Sequence, residues 1–152
     1  MNYKYNDGGR LNAGYKGRAN DCVCRAIAIA SGLPYKEVYE RLAEGNATQR
    51  RGKFDKPQYN WRTGNWIKPH TGVKSARIGI NTNRKWFKDY MKELGFKWTP
   101  TMLVGQGCKV HLKENELPKG KLIVAVSKHY TSVIDGVLND THDCSRDGTR
   151  CV

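Results

Sequence analysis

The sequence has no run of apolar residues that approaches the length of a membrane-spanning helix. Its first residues also lack the apolar core of a secretory signal peptide. Acidic residues are scarce, because 14 Asp and Glu stand against 27 Lys and Arg, and the formal net charge is +13. We therefore expect a cytoplasmic protein with no membrane span, whose surface attracts nucleic acid or other polyanions.

The five cysteines include none of the paired CxxC knuckles that are typical of zinc sites. Their odd number, with Cys22 and Cys24 too close in the chain for a normal bridge, favours a reducing compartment. For Cys144 and Cys151 the sequence leaves two states open, a pair of free thiols or a disulfide. We expect no metal and no cofactor. A structural zinc is the weaker alternative, and its candidate ligands are Cys108, His111, His142, Cys144 and Cys151.

A short apolar helix is predicted to begin at Cys22, with Asp21 as an N-cap whose carboxylate accepts from free backbone N–H groups. A thiolate at the first turn of a helix is stabilised by the positive end of the helix dipole, and Arg18 and Arg25 add to this effect. Cys24 lies about 200° further around the helix, so the two thiols point to nearly opposite sides. Cys22 is the predicted nucleophile, and the alternative is a buried core cysteine.

The rest of the chain indicates an α+β fold in one domain, residues 1–152, with N-terminal helices packed on a C-terminal antiparallel sheet. Residues 1–20 have no periodicity and suggest an extended lead-in. Apolar periodicity and turn signals predict helices at 35–44 and 84–94, short strands at 96–98 and 101–104, and a buried strand at 122–126.

Asp135 and Gly136 form the strongest hairpin signal in the chain, between strands at 129–134 and 137–141. A two-residue turn pairs Thr131 with Asp140, and it places His129 on the same face as Asp140. The two side chains then lie on a diagonal of adjacent strands, within reach of each other. An imidazole and its orienting carboxylate require this geometry, and the alternative is a surface hairpin with an incidental His and Asp.

A basic, aromatic-rich insertion at about 46–81 lacks both helical and strand periodicity. Cations interleaved with aromatic rings are typical of surfaces that follow a nucleic-acid backbone and stack on its bases. The alternative is a solvated loop whose aromatic side chains pack on the core. The candidate polyanion-binding residues are Arg50, Arg51, Lys53, Tyr59, Trp61 and Arg62.

The order of a helix-borne Cys22 followed by sheet-borne His129 and Asp140 resembles that of papain-like cysteine peptidases. Segments within 18–42 and 117–145, roughly half of the chain, also resemble small bacteriophage proteins of predicted papain-like fold. The first segment includes Asn20-Asp21-Cys22, and the last matching motif in the second segment is Asp140-Thr141. The sequence departs from papain itself because it has no Gln before Gln49.

The resemblance implies that Cys22 is the nucleophile, His129 the general base and later acid, and Asp140 the orienting carboxylate. Asn20 and the Cys22 backbone N–H would donate to the oxyanion. The implied activity is thiol-dependent hydrolysis or acyl transfer on a peptide, isopeptide or related amide. The protein would be phage-encoded, directed at a host or virion target, and found in the host cytoplasm or the virion. The alternative is a non-enzymatic basic module that binds nucleic acid or an acidic host protein.

Overall fold

A computed structural model describes residues 1–49, 58–67 and 72–152 as a mixed α+β fold. Within those ranges, three helices accompany a four-stranded sheet and a separate two-stranded hairpin. No helix in these ranges is long and apolar enough to cross a membrane. In chain order the elements are β1 (Asn2–Tyr5), α1 (Cys22–Ser31), α2 (Tyr35–Thr48), β2 (Gln58–Asn60), β3 (Asn65–Ile67), α3 (Lys85–Glu93), a 3₁₀ turn (Glu114–Glu116), β4 (Lys121–Val126), β5 (His129–Ile134) and β6 (Val137–Asp140).

Helix α1 is the predicted Cys22 helix, and it packs against α2 and against strands β4 and β5. It ends at Gly32, which adopts the left-handed conformation (φ 77°) and donates its N–H to the Ala28 carbonyl. Val23 and Ile27 are buried in the core that α1 shares with α2 and α3. Because α1 lies directly on β5, the start of the helix is held close to the residues of that strand.

Helix α2 continues four residues beyond its predicted end at Glu44. Gly45 was expected to terminate the helix, but the structure places it inside α2, against the ring of Trp86. A Cβ at this position would lie 2.2 Å from the ring. The glycine therefore allows the indole of Trp86 to approach the helix backbone, and it does not act as a stop signal.

The four-stranded sheet has the order β1-β6-β5-β4 and is mixed. Strand β5 is antiparallel to both of its neighbours, β4 and β6, whereas β1 pairs with β6 in parallel. The prediction of an antiparallel sheet is therefore wrong at this edge, and residues 2–5 form a strand within what was expected to be an extended lead-in. Tyr3 helps to hold the strand in place, because its hydroxyl donates to the Asp140 carbonyl at 3.2 Å.

The β5–β6 hairpin has the predicted register, with Ile134 opposite Val137 and Ser132 opposite Asn139. Both turn residues have positive φ, 49° at Asp135 and 86° at Gly136, as a type I′ turn requires. This register places His129 at the beginning of β5 and Asp140 at the end of β6.

Helix α3 lies within the predicted 84–94 segment. Residues 96–98 and 101–104 form no strand, so both of those predictions are wrong. Part of the 46–81 insertion forms the β2–β3 hairpin, although no strand was predicted there. Cys108 and Cys151 form a disulfide, whereas the sequence favoured reduced cysteines and left Cys144 and Cys151 open as free thiols or as a disulfide. Cys22, Cys24 and Cys144 are free.

Candidate active site

The thiol of Cys22 lies at the first residue of α1, half-buried against the beginning of β5. It interacts with the His129 side chain and with the backbone of Tyr130, and both lower its pKa. Burial of the thiol opposes its ionisation, but these two interactions and the charges of His129 and Arg25 outweigh burial. The pKa of Cys22 is therefore held below its ordinary value. The site favours a thiolate, as a nucleophilic cysteine requires.

The imidazole of His129 connects this thiol to a carboxylate. Its Nε2 lies 2.7 Å from Oδ2 of Asp140, and its ring also contacts the thiols of Cys144 and Cys22. The Asp140 hydrogen bond is the main reason that the pKa of His129 is raised to about 11. With Nε2–H donating to Asp140, the orientation of the ring is fixed. Because its pKa is raised, the ring stays protonated and keeps its positive charge beside the Cys22 thiolate.

The Asp140 carboxylate is 3% exposed at the end of β6. Burial raises the pKa of Asp140, but hydrogen bonds from His129 and from the Thr141 backbone N–H, the latter at 2.7 Å, hold it below the ordinary value. Nη2 of Arg25 lies 3.8 Å from Oδ1 and adds a positive charge on the other side. Asp140 is therefore a fixed anion beside His129.

A buried charge network connects the start of α1 with this carboxylate. Asp21 is 1% exposed, and its carboxylate accepts from Nε of Arg10 at 2.7 Å and from the Tyr35 hydroxyl at 2.6 Å. It also pairs with Arg25, which reaches Asp140. The predicted side-chain cap by Asp21 is therefore wrong, because the carboxylate is used by these donors and no side-chain cap bond forms.

The two other free thiols have different surroundings. Cys24 is fully buried, with Sγ 3.8 Å from the Tyr35 carbonyl, and burial raises its pKa to about 12. As expected from the helix geometry, it faces the core, and such a thiol is a poor nucleophile. Cys144 is also buried, but its Sγ lies 3.9 Å from Oδ2 of Asp140.

Sequence reasoning missed two parts of this site. Arg25 was expected to act on the thiol alone, yet it bridges Asp21 and Asp140. The i,i+4 spacing of Asp21 and Arg25 on a helix could have indicated the first of these contacts. Nothing in the sequence places Cys144 beside His129, because the segment after β6 has no periodicity that fixes its path.

Asn20, the predicted side-chain oxyanion donor, is exposed two residues before Cys22. Its backbone N–H donates to the Arg77 carbonyl at 2.8 Å, which fixes the chain just before α1. Within the described residues its side chain forms no hydrogen bond, so its role as a donor stays a prediction. The Cys22 N–H lies at the start of α1, where backbone donors have no partner in the preceding turn.

The predicted polyanion-binding residues are only partly described. Arg50, Arg51 and Lys53 lie outside the described residues. The other three, Tyr59, Trp61 and Arg62, lie in the β2–β3 hairpin.

Three aromatic rings cluster on this hairpin. The Tyr59 ring lies 4.8 Å from that of Trp61 and 5.3 Å from that of Trp66. Trp61 is 89% exposed and Trp66 is 66% exposed. The structure therefore places both tryptophans on the surface and not in the core.

Two groups in the described chain bring together side chains that could hold a metal ion. His129, Asp140 and His142 have ligand atoms within 4.8 Å of one another, and they overlap the candidate active site. Cys108, His111 and Cys151 form the second group, which shares no residue with the first. The ligand atoms of this second group also lie within 4.8 Å of one another.

The candidate active site therefore consists of a helix-borne thiol, a strand-borne imidazole that interacts with it, and a buried carboxylate that is hydrogen-bonded to the imidazole. No family model, no curated protein and no solved structure matches this chain. What the chain does is inferred from the geometry of the site. This geometry is suited to nucleophilic catalysis by Cys22.

Proposed function

We propose that the protein is a thiol-dependent hydrolase or acyl transferase that cleaves a peptide, isopeptide or related amide. One observation carries the proposal: the His129 ring lies 2.7 Å from Asp140 and also interacts with the Cys22 thiol, whose pKa it lowers. A nucleophile, its base and a group that orients the base are the parts that acyl transfer through a covalent intermediate requires. A core cysteine needs no such neighbours.

In this mechanism the Cys22 thiolate attacks the carbonyl carbon of the substrate, and the oxygen becomes an oxyanion. The Cys22 backbone N–H, together with Asn20, donates to that oxyanion. Protonated His129 then gives its proton to the leaving amine as the C–N bond breaks, which leaves a thioester on Cys22. Neutral His129 next takes a proton from water, or from another acceptor nucleophile, which attacks the thioester and releases the Cys22 thiolate beside the protonated ring. Asp140 holds the ring throughout and stabilises its charged form.

The proposal includes a papain-like relationship and a phage origin, with a host or virion protein as the substrate. The chain order supports the relationship, because the nucleophile lies on the first helix and the His and Asp lie on the β5–β6 hairpin. The observed α+β architecture, with α1 packed on that hairpin, is consistent with it.

An activated aryl ester tests the chemistry without knowledge of the substrate. We expect the ester to acylate Cys22, with release of the aryl alcohol and subsequent turnover. Because the pKa of Cys22 is lowered, its acylation rate should persist as the pH falls through the range where an ordinary thiol becomes protonated, and decline only below that range. Peptide mapping identifies the acylated residue, and release of the alcohol gives the rate.

Cys22→Ser should abolish this reaction, whereas Cys24→Ser should retain it, because the Cys24 thiol is fully buried and faces the core. Acylation spread evenly over the three free thiols would contradict the proposal. So would a Cys22 rate that follows the titration of an unperturbed thiol.

The exposed aromatic cluster favours a second candidate function, the binding of single-stranded nucleic acid. Trp61 and Trp66 present their rings to solvent beside Arg62, on a chain with net charge +13. Bases stack on such rings with little regard to sequence, and each stacked base contributes about 1–3 kcal/mol to binding. This function requires no contact among Cys22, His129 and Asp140, so the two candidates are separable.

Replacing both Trp61 and Trp66 with alanine should weaken the binding of a fluorescent thymidine oligonucleotide by at least about tenfold, because two stacking platforms are lost. Arg62→Ala should reduce the slope of log affinity against log salt by about one. Trp98→Ala is the matched control, since Trp98 is 72% exposed but lies outside the hairpin. Fluorescence anisotropy measures each affinity. An absence of binding at low salt, or an equal effect of Trp98→Ala, would exclude the hairpin as the binding surface.

A further inference from the structure

The cluster of Cys108, His111 and Cys151 is not used by the proposed mechanism. All three are among the candidate ligands of the structural zinc that the sequence left as the weaker alternative, but the spacing did not predict that they meet, because Cys151 is 40 positions after His111. The fold brings the three side chains together, with a ligand atom of each within 4.8 Å of the others. Two sulfurs and an imidazole are the ligand types that zinc prefers.

The backbone positions two of these residues independently of the disulfide. His111 and Cys151 face each other in an antiparallel bridge. Hydrogen bonds flank the pair on both sides: Leu112 N–H donates to the Arg150 carbonyl at 2.8 Å, and Val152 N–H donates to the Val110 carbonyl at 2.9 Å. In this arrangement the facing residues form a non-hydrogen-bonded pair, in which Cα atoms are about 4.5 Å apart and side chains are close.

The His111 ring is already oriented by a carboxylate. Oε2 of Glu116 lies 3.0 Å from Nδ1 of His111 and also accepts from the His111 backbone N–H at 2.7 Å. With Nδ1–H donating to Glu116, Nε2 is the nitrogen left to bind a metal. Histidine ligands of zinc are commonly supported by a carboxylate in this way.

We propose that Cys108, His111 and Cys151 bind a zinc ion when the Cys108–Cys151 disulfide is reduced. A thiol reductant of the cytoplasm supplies the two electrons and two protons that convert the disulfide into two thiols, and is itself oxidised to a disulfide. Zinc then displaces both thiol protons, and the sulfurs separate to about 3.8 Å, as tetrahedral Zn–S bonds of about 2.3 Å require. Two thiolates neutralise the ion, and water fills the fourth position.

The test uses the full chain carrying Cys22→Ser, so that the candidate nucleophile takes no part. After reduction with a phosphine, zinc is titrated in competition with a chromophoric chelator. We expect one zinc per chain, with no binding to this cluster in the oxidised protein. His111→Ala should lower the affinity by more than about 100-fold. Glu116→Gln should lower it by about 10- to 100-fold, because the ring loses its carboxylate partner.

Glu114→Gln is the matched control, since Glu114 lies on the same 3₁₀ turn but pairs with Lys119 at 2.9 Å. It should leave zinc affinity unchanged. The proposal is overturned if the reduced protein takes up no zinc, or if His111→Ala binds zinc as the parent does. Equal uptake by the oxidised protein also overturns it. Loss of binding in His142→Ala, with His111→Ala unaffected, would assign the zinc to the other cluster and reject this one.

Discussion

Asp140→Asn should slow acylation of Cys22 by an activated aryl ester by about one to four orders of magnitude. The substitution keeps the shape of the side chain but removes the carboxylate whose hydrogen bond is the main cause of the raised His129 pKa. The amide can also present an N–H₂ group to the ring and reverse its tautomer. The Cys22 thiolate then loses the neighbouring imidazolium, so its own pKa rises. Release of the aryl alcohol at neutral pH measures the rate, and circular dichroism checks the fold.

Asp135→Asn is the matched control on the same hairpin. Asp135 lies in the turn with positive φ, and its Oδ1 accepts from the Gly120 N–H at 3.0 Å. Asparagine tolerates the same conformation and keeps an acceptor oxygen, so the rate should change little. If Asp135→Asn is slow while Asp140→Asn is not, the wrong carboxylate has been assigned to His129. If neither substitution changes the rate although Cys22→Ser abolishes the reaction, Cys22 is the nucleophile but no carboxylate of this hairpin is needed to orient His129.

Local signals explain why the contact between His129 and Asp140 could be predicted. Asp135 and Gly136 specify a two-residue turn, and that turn determines which residues face each other along the hairpin. The predicted helix start at Cys22 also agrees with the structure, although the side-chain cap by Asp21 on which that prediction rested does not form. Short-range rules are therefore sufficient for the hairpin, whereas at the helix start they give the right boundary without the right contact.

The features that could not be predicted all depend on contacts between distant parts of the chain. Strand β1 has no periodicity of its own, and it forms because its backbone pairs with the free edge of β6. The Cys108–Cys151 disulfide joins residues 43 apart, and connectivity among five cysteines does not follow from spacing. Gly45, directly after the predicted end of α2, lies inside the helix, and Trp86 from α3 occupies the space beside it.

The largest expected effect on stability is that of Asp21→Asn. Asp21 is 1% exposed, and it accepts from Arg10 and Tyr35 while pairing with Arg25. The amide keeps one acceptor oxygen but leaves two guanidinium groups beside a neutral side chain in a buried setting. Removing one partner of a buried ion pair costs about 3–5 kcal/mol. Because small domains are stable by only about 5–15 kcal/mol, urea denaturation should show a large fall in midpoint.

Asp89→Asn is the matched control, because it removes an ion pair that is exposed and not buried. Lys85 and Asp89 form an ion pair at 2.6 Å with the same i,i+4 relation, but their side chains are 89% and 49% exposed. Solvent screens that pair, so its loss should lower the free energy of unfolding by less than about 1 kcal/mol. Equal effects of the two substitutions would contradict the buried network. A large loss for Asp21→Asn alone, together with slower Cys22 acylation in the folded variant, would show that Arg25 needs Asp21 in order to hold Asp140 in position.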